Sequence, residues 1–469
     1  MTTPRGANTT HAAVLNQRIA DALHLVSDTR ELQLGEGVIG RAAEVFQRQF
    51  PNSPAVIVAD RNALAAAGQQ VLALLKQAGV PTTDPIVFDE PDLPAEYQHV
   101  DRIQATLSAT GAVPVAVGSG TINDLTKLAG HLCGRPYLVV ATAASMDGYT
   151  ACGASITRYG SKETFWCPAP RAVIADLDVI CRAPTELNIA GYADLVAKTT
   201  AGADWILADA AGIEPMDPRA WELVQTHLRE WIGDPAGVQR GQPAALHALT
   251  EGLLMSGLAI QHNRSSRPAS GAEHQFSHLW DMEQHRHQGR VPWHGCKVGI
   301  GTLAVTLLYE ELLRFSLEQL DIQRVCAQQP DLPAVQRSVC ETHTQPELRE
   351  IALREVAAKH RAGPALEEML SRLRAAWPQL RTRLRQQLLG FKELHALLRR
   401  AGAPCEPEAI SIDWLRLRRS YLAAQQIRRR FTVLDLAVLT GLLPACLDRL
   451  FAPVGPWRAG PGLSPEGGR

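Results

Sequence analysis

Five histidines, His274, His278, His285, His287 and His294, fall within 21 residues, in and between the segments SRPASGAEHQFSH and VPWHGCKVGIG. Imidazole nitrogens and carboxylates are ligands that zinc, nickel and iron(II) accept. A carboxylate that could complete such a set is Asp194, in AGYADLVAK. His274 and His278 are four apart, a spacing that on a helix puts both on one face. Such a pair can hold one metal together, or divide the work so that one ligates while the other touches substrate. The same density of histidine also suits structural or solvated roles, and spacing alone leaves both readings open.

A second chemistry is written at residues 113–127, VPVAVGSGTINDLTK, where an apolar run ends at Gly118 and a helix starts around Thr121. Gly118 and Gly120 let a backbone approach a ligand closely, and first-turn N–H groups together with the helix dipole favour a phosphate. The pattern is not G-x-G-x-x-G, because Asn123 stands where the third glycine would be. Nor is it a Walker A loop, because Lys127 and the glycine spacing do not match. A plain tight turn is the other reading. Asp60 directly follows the run AVIVA, where it could bond a ribose hydroxyl or cap the next helix. The segment ATAASMDGY, residues 141–149, places the hydroxyls of Thr142 and Ser145 among small residues, which suits a wall against a cofactor.

The elements that must position these groups fall into two regimes. Short apolar or β-branched runs at 55–59, 86–88, 113–117, 138–141 and 172–174 read as strands, and 63–78 and 100–110 as helices. Strands alternating with helices predict βαβ units and a parallel sheet. Past about residue 180, long helical patterns take over at 188–208, 218–231, 244–262, 298–314, 347–360 and 365–389. The expected organisation is an α/β nucleotide-binding domain over 1–180, then an all-α metal and substrate domain over 181–451. Residues 452–469, rich in Gly and Pro, are expected to form a loose tail.

Composition narrows the function classes. The formal net charge of −1 over 469 residues argues against a dedicated nucleic-acid binder. Residues 351–430 carry 17 Lys/Arg against 7 Asp/Glu, which reads as solvated helix faces, since few aromatics accompany them to stack on bases. No apolar run reaches the roughly 20 residues of a membrane span, and residues 1–10 lack the apolar core of a secretory signal. Nine cysteines without a CxxC pair suggest neither a zinc finger nor a disulfide framework. A cytoplasmic enzyme with reduced thiols is expected.

Taken in order, GSGTINDLTK, ATAASMDGY, GYADLVAK, SRPASGAEHQFSH and WHGCKVGIG resemble the motifs of sn-glycerol-1-phosphate dehydrogenases, and IRRRFTVLDLAVLTGLL (427–443) looks like that family's closing helix. The likeness covers roughly residues 35–445. The family lies in the superfamily of iron-containing alcohol dehydrogenases and dehydroquinate synthases, whose fold is an N-terminal α/β nucleotide domain and a C-terminal helical metal domain. The resemblance implies that Gly118, Ser119, Gly120, Thr121 and Ile122 line the pyrophosphate of NAD or NADP. It implies that Thr142, Ala143, Ala144 and Ser145 contact the nicotinamide side. Asp147 would bind substrate, Asp194, His274 and His294 would hold one divalent ion (zinc or nickel, or iron), and His278 would reach the substrate. Ala151 stands near the place of a serine that contacts NAD in relatives, so one hydrogen bond of about 1 kcal/mol is missing.

The chemistry implied is interconversion of sn-glycerol 1-phosphate and dihydroxyacetone phosphate. The metal would act as Lewis acid, with Asp147 and His278 orienting hydroxyls and relaying the proton. Arg267 is the candidate for gripping the substrate phosphate, with a structural role as its alternative. A homodimer is common among such enzymes. The competing functions are glycerol dehydrogenase, a dehydroquinate synthase-like enzyme, or a degenerate, non-catalytic NAD-binding protein.

Overall fold

The computed structural model describes residues 17–90, 92–158 and 161–457. Five of the expected runs become strands of one parallel sheet: β2 (Ala55–Asp60), β3 (Ile86–Phe88), β4 (Val113–Gly118), β5 (Leu138–Ala141) and β8 (Ala172–Asp176). A sixth, β1 (Glu31–Gly35), completes the order β1-β8-β5-β4-β2-β3. The central strands β4, β5 and β8 are buried throughout, and β2 is buried up to Asp60. That is why their sequences are continuous apolar runs rather than alternating ones. One face packs Val45 and Phe46 of the helix Ala42–Gln49, and Val71 and Leu75 of Gln69–Gln77, against Ile57, Val115, Val140 and Ile174. An antiparallel pair, β6 (Ala154–Arg158) and β7 (Ser161–Phe165), stands apart from this sheet. It was not expected, because SKETF carries no apolar run.

The chain forms two compact units. The first is Met1–Leu195 with Arg219–Ser266, and the second is Val196–Pro218 with Arg267–Arg469. The sequence reading divides the chain at 180, where the strands end. The segment Arg219–Ser266 nevertheless joins the sheet unit, because Pro243–Asn263 packs on Leu177–Ile180, Leu228–Trp231, Pro235–Gln239 and β1. This helix also corrects the expectation about apolar runs. At 21 residues it is the one described helix long and apolar enough to cross a membrane, and most of it is buried inside its own unit.

In the second unit, Ala272–Met282 packs against His294–Leu312 and Trp414–Gln426, and Lys198–Ala210 packs against Gly363–Gln387. Gly301 makes the first of these contacts possible, since a Cβ there would stand 2.5 Å from the Glu273 carbonyl oxygen. Phe276 meets Tyr421 edge to face at 5.0 Å. Arginines of the basic stretch are spent on ion pairs: Arg429 with Glu355, Arg372 with Glu368, Arg416 with Glu283 and Arg418 with Asp448. The expected loose tail begins packed. Trp457 is 1% exposed and donates from Nε1 to the Tyr421 hydroxyl at 3.2 Å. Residues 458–469 and the polar segment 1–10 lie outside the described residues.

Candidate active site and metal centre

In the sheet unit, strand order reverses between β2 and β4. The chain runs outward from β2 to β3 and then crosses back to β4, on the other side of β2. Ligands of open α/β sheets bind at the carboxyl ends of the strands flanking such a switch. Asp60 and Gly118 end these two strands, each two residues past the paired positions Val58 and Ala116. The helix Gly120–Leu132 starts here with Ser119 as N-cap and no side-chain cap. Its first amide to bond back is that of Asn123, to the Ser119 carbonyl at 3.1 Å. The first-turn amides of Gly120, Thr121 and Ile122 thus form the positive end of the helix dipole. A Cβ on Gly118 would stand 2.7 Å from the Ile122 side chain, so this glycine is required by packing. One on Gly120 would meet only the flexible Met146, at 3.0 Å. Asp60 caps the next helix, accepting from the Ala63 amide at 2.8 Å.

Thr142, Ala143, Ala144 and Ser145 follow β5, and their backbone is pinned. The Thr142 amide donates to Gly118 O at 3.1 Å, and the Ala144 amide to Asn188 Oδ1 at 2.9 Å. Gly191 lets the helix Thr185–Val196 approach, because a Cβ there would lie 1.8 Å from Ala144 O. Ser145 and Ala143 share the hydroxyl of Tyr149, at 3.2 and 2.8 Å.

The residues that failed the two phosphate-loop patterns turn out to hold the next turn. Asn123 donates to Gly148 O at 3.2 Å, and buried Lys127 donates to Gly148 O and Gly153 O, both at 3.0 Å. From the other side, Gly257 lets the helix Pro243–Asn263 touch this turn; a Cβ would stand 2.4 Å from Asp147 O and 3.0 Å from the Ala151 amide. Asp147 is fixed at both ends. Its Oδ2 accepts from Ser256 Oγ at 2.9 Å, and its amide donates to Asp194 Oδ2 at 3.2 Å. Sequence reasoning missed Asn188 and Ser256, which are uncharged polar residues within helices and carry no spacing signal. Ala151 is buried and, having no hydroxyl, offers no side-chain contact.

In the second unit the packed helices Ala272–Met282 and His294–Leu312 bring three histidines together. Ring centroids of His274 and His294 are 5.3 Å apart, and His278 is 6.3 Å from each. His294 Nδ1 lies 3.3 Å from Ser277 Oγ. His274 Nδ1 lies 2.8 Å from Oε1 of Glu273, a carboxylate that is fully buried. Burial pushes the Glu273 acid up, but the His274 hydrogen bond and charge and the Gly271 amide outweigh it and hold it below the usual range. Nearby Asp204 goes the other way. Burial and the Glu273 charge push it up to about 7, against bonds from Tyr309 and the Ala272 amide. Of the candidate ligands, His274 and His294 pair in this unit while Asp194 belongs to the first; a carboxylate and two imidazoles make a set able to hold a metal ion. His285 and His287 do not join it: His285 bonds Ile410 O and Arg416, and His287 bonds Ser411.

Arg267, the candidate for the substrate phosphate, lies in the second unit. It is 0% exposed, with Nη2 donating to Asp204 O at 2.7 Å and Phe431 O at 2.9 Å and Nε 3.4 Å from a Glu214 carboxylate oxygen. These bonds suit the structural role that stands as the alternative to gripping a phosphate.

The family model described as iron-containing alcohol dehydrogenase matches residues 33–184. A glycerol-1-phosphate dehydrogenase (NAD(P)+) of Halalkalibacterium halodurans is 36% identical over 290 residues, which covers 61% of this chain and 72% of that one. An enzyme of the same name from Geobacillus thermodenitrificans is 30% identical over 81% of this chain and 85% of its own. Among solved structures, a probable glycerol dehydrogenase from Sinorhizobium meliloti matches 90% of this chain and 98% of its own with TM-score 0.58. Glycerol dehydrogenase from Schizosaccharomyces pombe matches 90% and 91% with TM-score 0.56. At 16% and 18% identity these two share the fold.

Proposed function

The chain belongs to the glycerol-1-phosphate dehydrogenase family, and from that membership we propose that it interconverts sn-glycerol 1-phosphate and dihydroxyacetone phosphate with NAD(P)(H) and a divalent metal ion. The observation that carries the reading is the pairing of two imidazoles, His274 and His294, with ring centroids 5.3 Å apart, to which Asp194 would add the carboxylate of the ligand set. Zinc and nickel both suit these donors.

When bound, the ion supplies Lewis acidity that polarises the ketone and acidifies the secondary alcohol, and the dinucleotide supplies the hydride carrier. The residues of the chain do the rest. The backbone from Gly118 and Ser119 through Gly120, Thr121 and Ile122 cradles the pyrophosphate at the helix N-terminus. Asp60 turns toward the ribose from the end of β2 while keeping its cap. Thr142, Ala143, Ala144 and Ser145 form the rigid wall beside the nicotinamide. Asp147, held by Ser256 and by its bond to Asp194, orients a substrate hydroxyl, and His278 relays the proton from the face it shares with His274. In this assignment residues 1–180 serve the dinucleotide and 181–451 the metal and substrate. The nine free thiols suit the reducing cytoplasm in which we place the reaction.

The discriminating test is oxidation of sn-glycerol 1-phosphate with NAD(P)+, run beside its enantiomer and free glycerol. Preference for the 1-phosphate supports the assignment, and preference for free glycerol replaces it with a glycerol dehydrogenase.

A further inference from the structure

We propose that Glu273 is a positioning residue for His274, fixing the imidazole tautomer in which Nε2 carries no proton; the inference rests on the reading of His274 as a metal ligand. The geometry is built around one carboxylate. Its Oε1 lies 2.8 Å from His274 Nδ1 and accepts from the Gly271 amide at 2.5 Å, while Oε2 lies 2.8 Å from the Thr200 hydroxyl. Glu273 is fully buried, and a carboxylate is stable in such a place only when its lone pairs are met. An ionised carboxylate can only accept, so the nitrogen facing it must carry the proton. In a neutral ring that leaves the lone pair on Nε2, the form a metal requires, with the ring held from behind.

The surroundings are shaped for this arrangement. A Cβ on Gly271 would stand 2.9 Å from Glu273 Oε2 and 2.5 Å from Asp204 Oδ2, so the chain is bare where the carboxylates approach it. Gly301 brings the His294 helix onto the Glu273 backbone, which ties both histidine helices to this residue. Thr200 comes from a third helix, Lys198–Ala210, and also lies 2.9 Å from Ala197 O.

The test uses the full-length protein and three variants, Glu273→Gln, Thr200→Val and His274→Asn, the last to assign the His274 resonance. Histidine 15N spectra of metal-free protein report the tautomer, and competition with a chromophoric chelator reports affinity for zinc. The wild type should show His274 protonated on Nδ1. Glu273→Gln should mix the tautomers and weaken zinc binding about 10- to 100-fold. Thr200→Val, nearly isosteric and out of contact with the ring, should shift both readouts less and in the same direction, and it keeps the test intact if Glu273→Gln fails to fold. Unchanged tautomer and affinity in a folded variant overturn the proposal. If the wild type binds no zinc, the metal reading falls, while the tautomer spectra still decide whether Glu273 positions the ring.

Discussion

The backbone amide of Asp147 donates to Oδ2 of Asp194 at 3.2 Å, so the residue assigned to substrate is fixed directly to the carboxylate assigned to the metal. A change at either one is transmitted to the other.

Asp194→Asn keeps an oxygen for the Asp147 amide but removes the anionic ligand. Metal content, measured after dialysis, should fall from about one ion per chain to near none, with the melting temperature of the metal-free protein nearly unchanged. Full metal retention in the variant would remove Asp194 from the ligand set.

Gly120→Val separates cofactor binding from folding. Its Cβ meets only the yielding Met146 side chain within the fold, but the added side chain would occupy the space against which a pyrophosphate would lie. Dinucleotide affinity, by fluorescence titration, should drop about tenfold or more, with little change in ligand-free stability. Unchanged affinity moves the pyrophosphate away from this turn.

Arg267→Ala tests the structural role of the arginine against the phosphate role. Two buried carbonyls lose their donor, at about 1–3 kcal/mol each, so the melting temperature should fall. Turnover of phosphorylated and free triose should then decline in the same proportion. A loss confined to the phosphorylated substrate would support the phosphate assignment.

These outcomes separate what the sequence makes legible from what it hides. Five strands could be read because β2, β4, β5 and β8 are buried on both faces and therefore continuously apolar, and because the three-residue β3 is apolar as well. β1 and the β6–β7 pair could not, since ELQLG and SKETF look like loop. Asp194, His274 and His294 stood out by residue type and motif. Glu273 sat in the same motif unnoticed, because its use depends on Thr200, 73 positions away. The structural alternative for Arg267 could not be filled in for a related reason: proximity in sequence to His274 said nothing about Asp204 O and Phe431 O, which the fold brings to its guanidinium.

His285 gives a pH dependence with a definite sign. Its Nε2 donates to Ile410 O at 2.6 Å and its Nδ1 accepts from Arg416 at 2.8 Å, which is the neutral ring. Burial, only partly offset by the Ile410 bond, holds it below its usual value. The unfolded chain takes up a proton near pH 6.5 and the folded chain only lower. Stability should therefore fall as pH drops below about 6.5 and level off past the folded value, by at most about 1.4 kcal/mol per pH unit. Urea midpoints at pH 7.5 and 5.5 check this, and His285→Gln should flatten the difference. An equal slope in wild type and variant would assign the effect to other groups.

The most direct test of the account is oxidation of NADH or NADPH by the zinc- or nickel-loaded full-length protein, with dihydroxyacetone phosphate and dihydroxyacetone supplied in parallel. The account predicts turnover that favours the phosphorylated ketone, disappears on chelation, returns with the ion and is absent in Asp194→Asn. No turnover of dihydroxyacetone phosphate by metal-loaded wild type, or turnover that Asp194→Asn leaves intact, would contradict it.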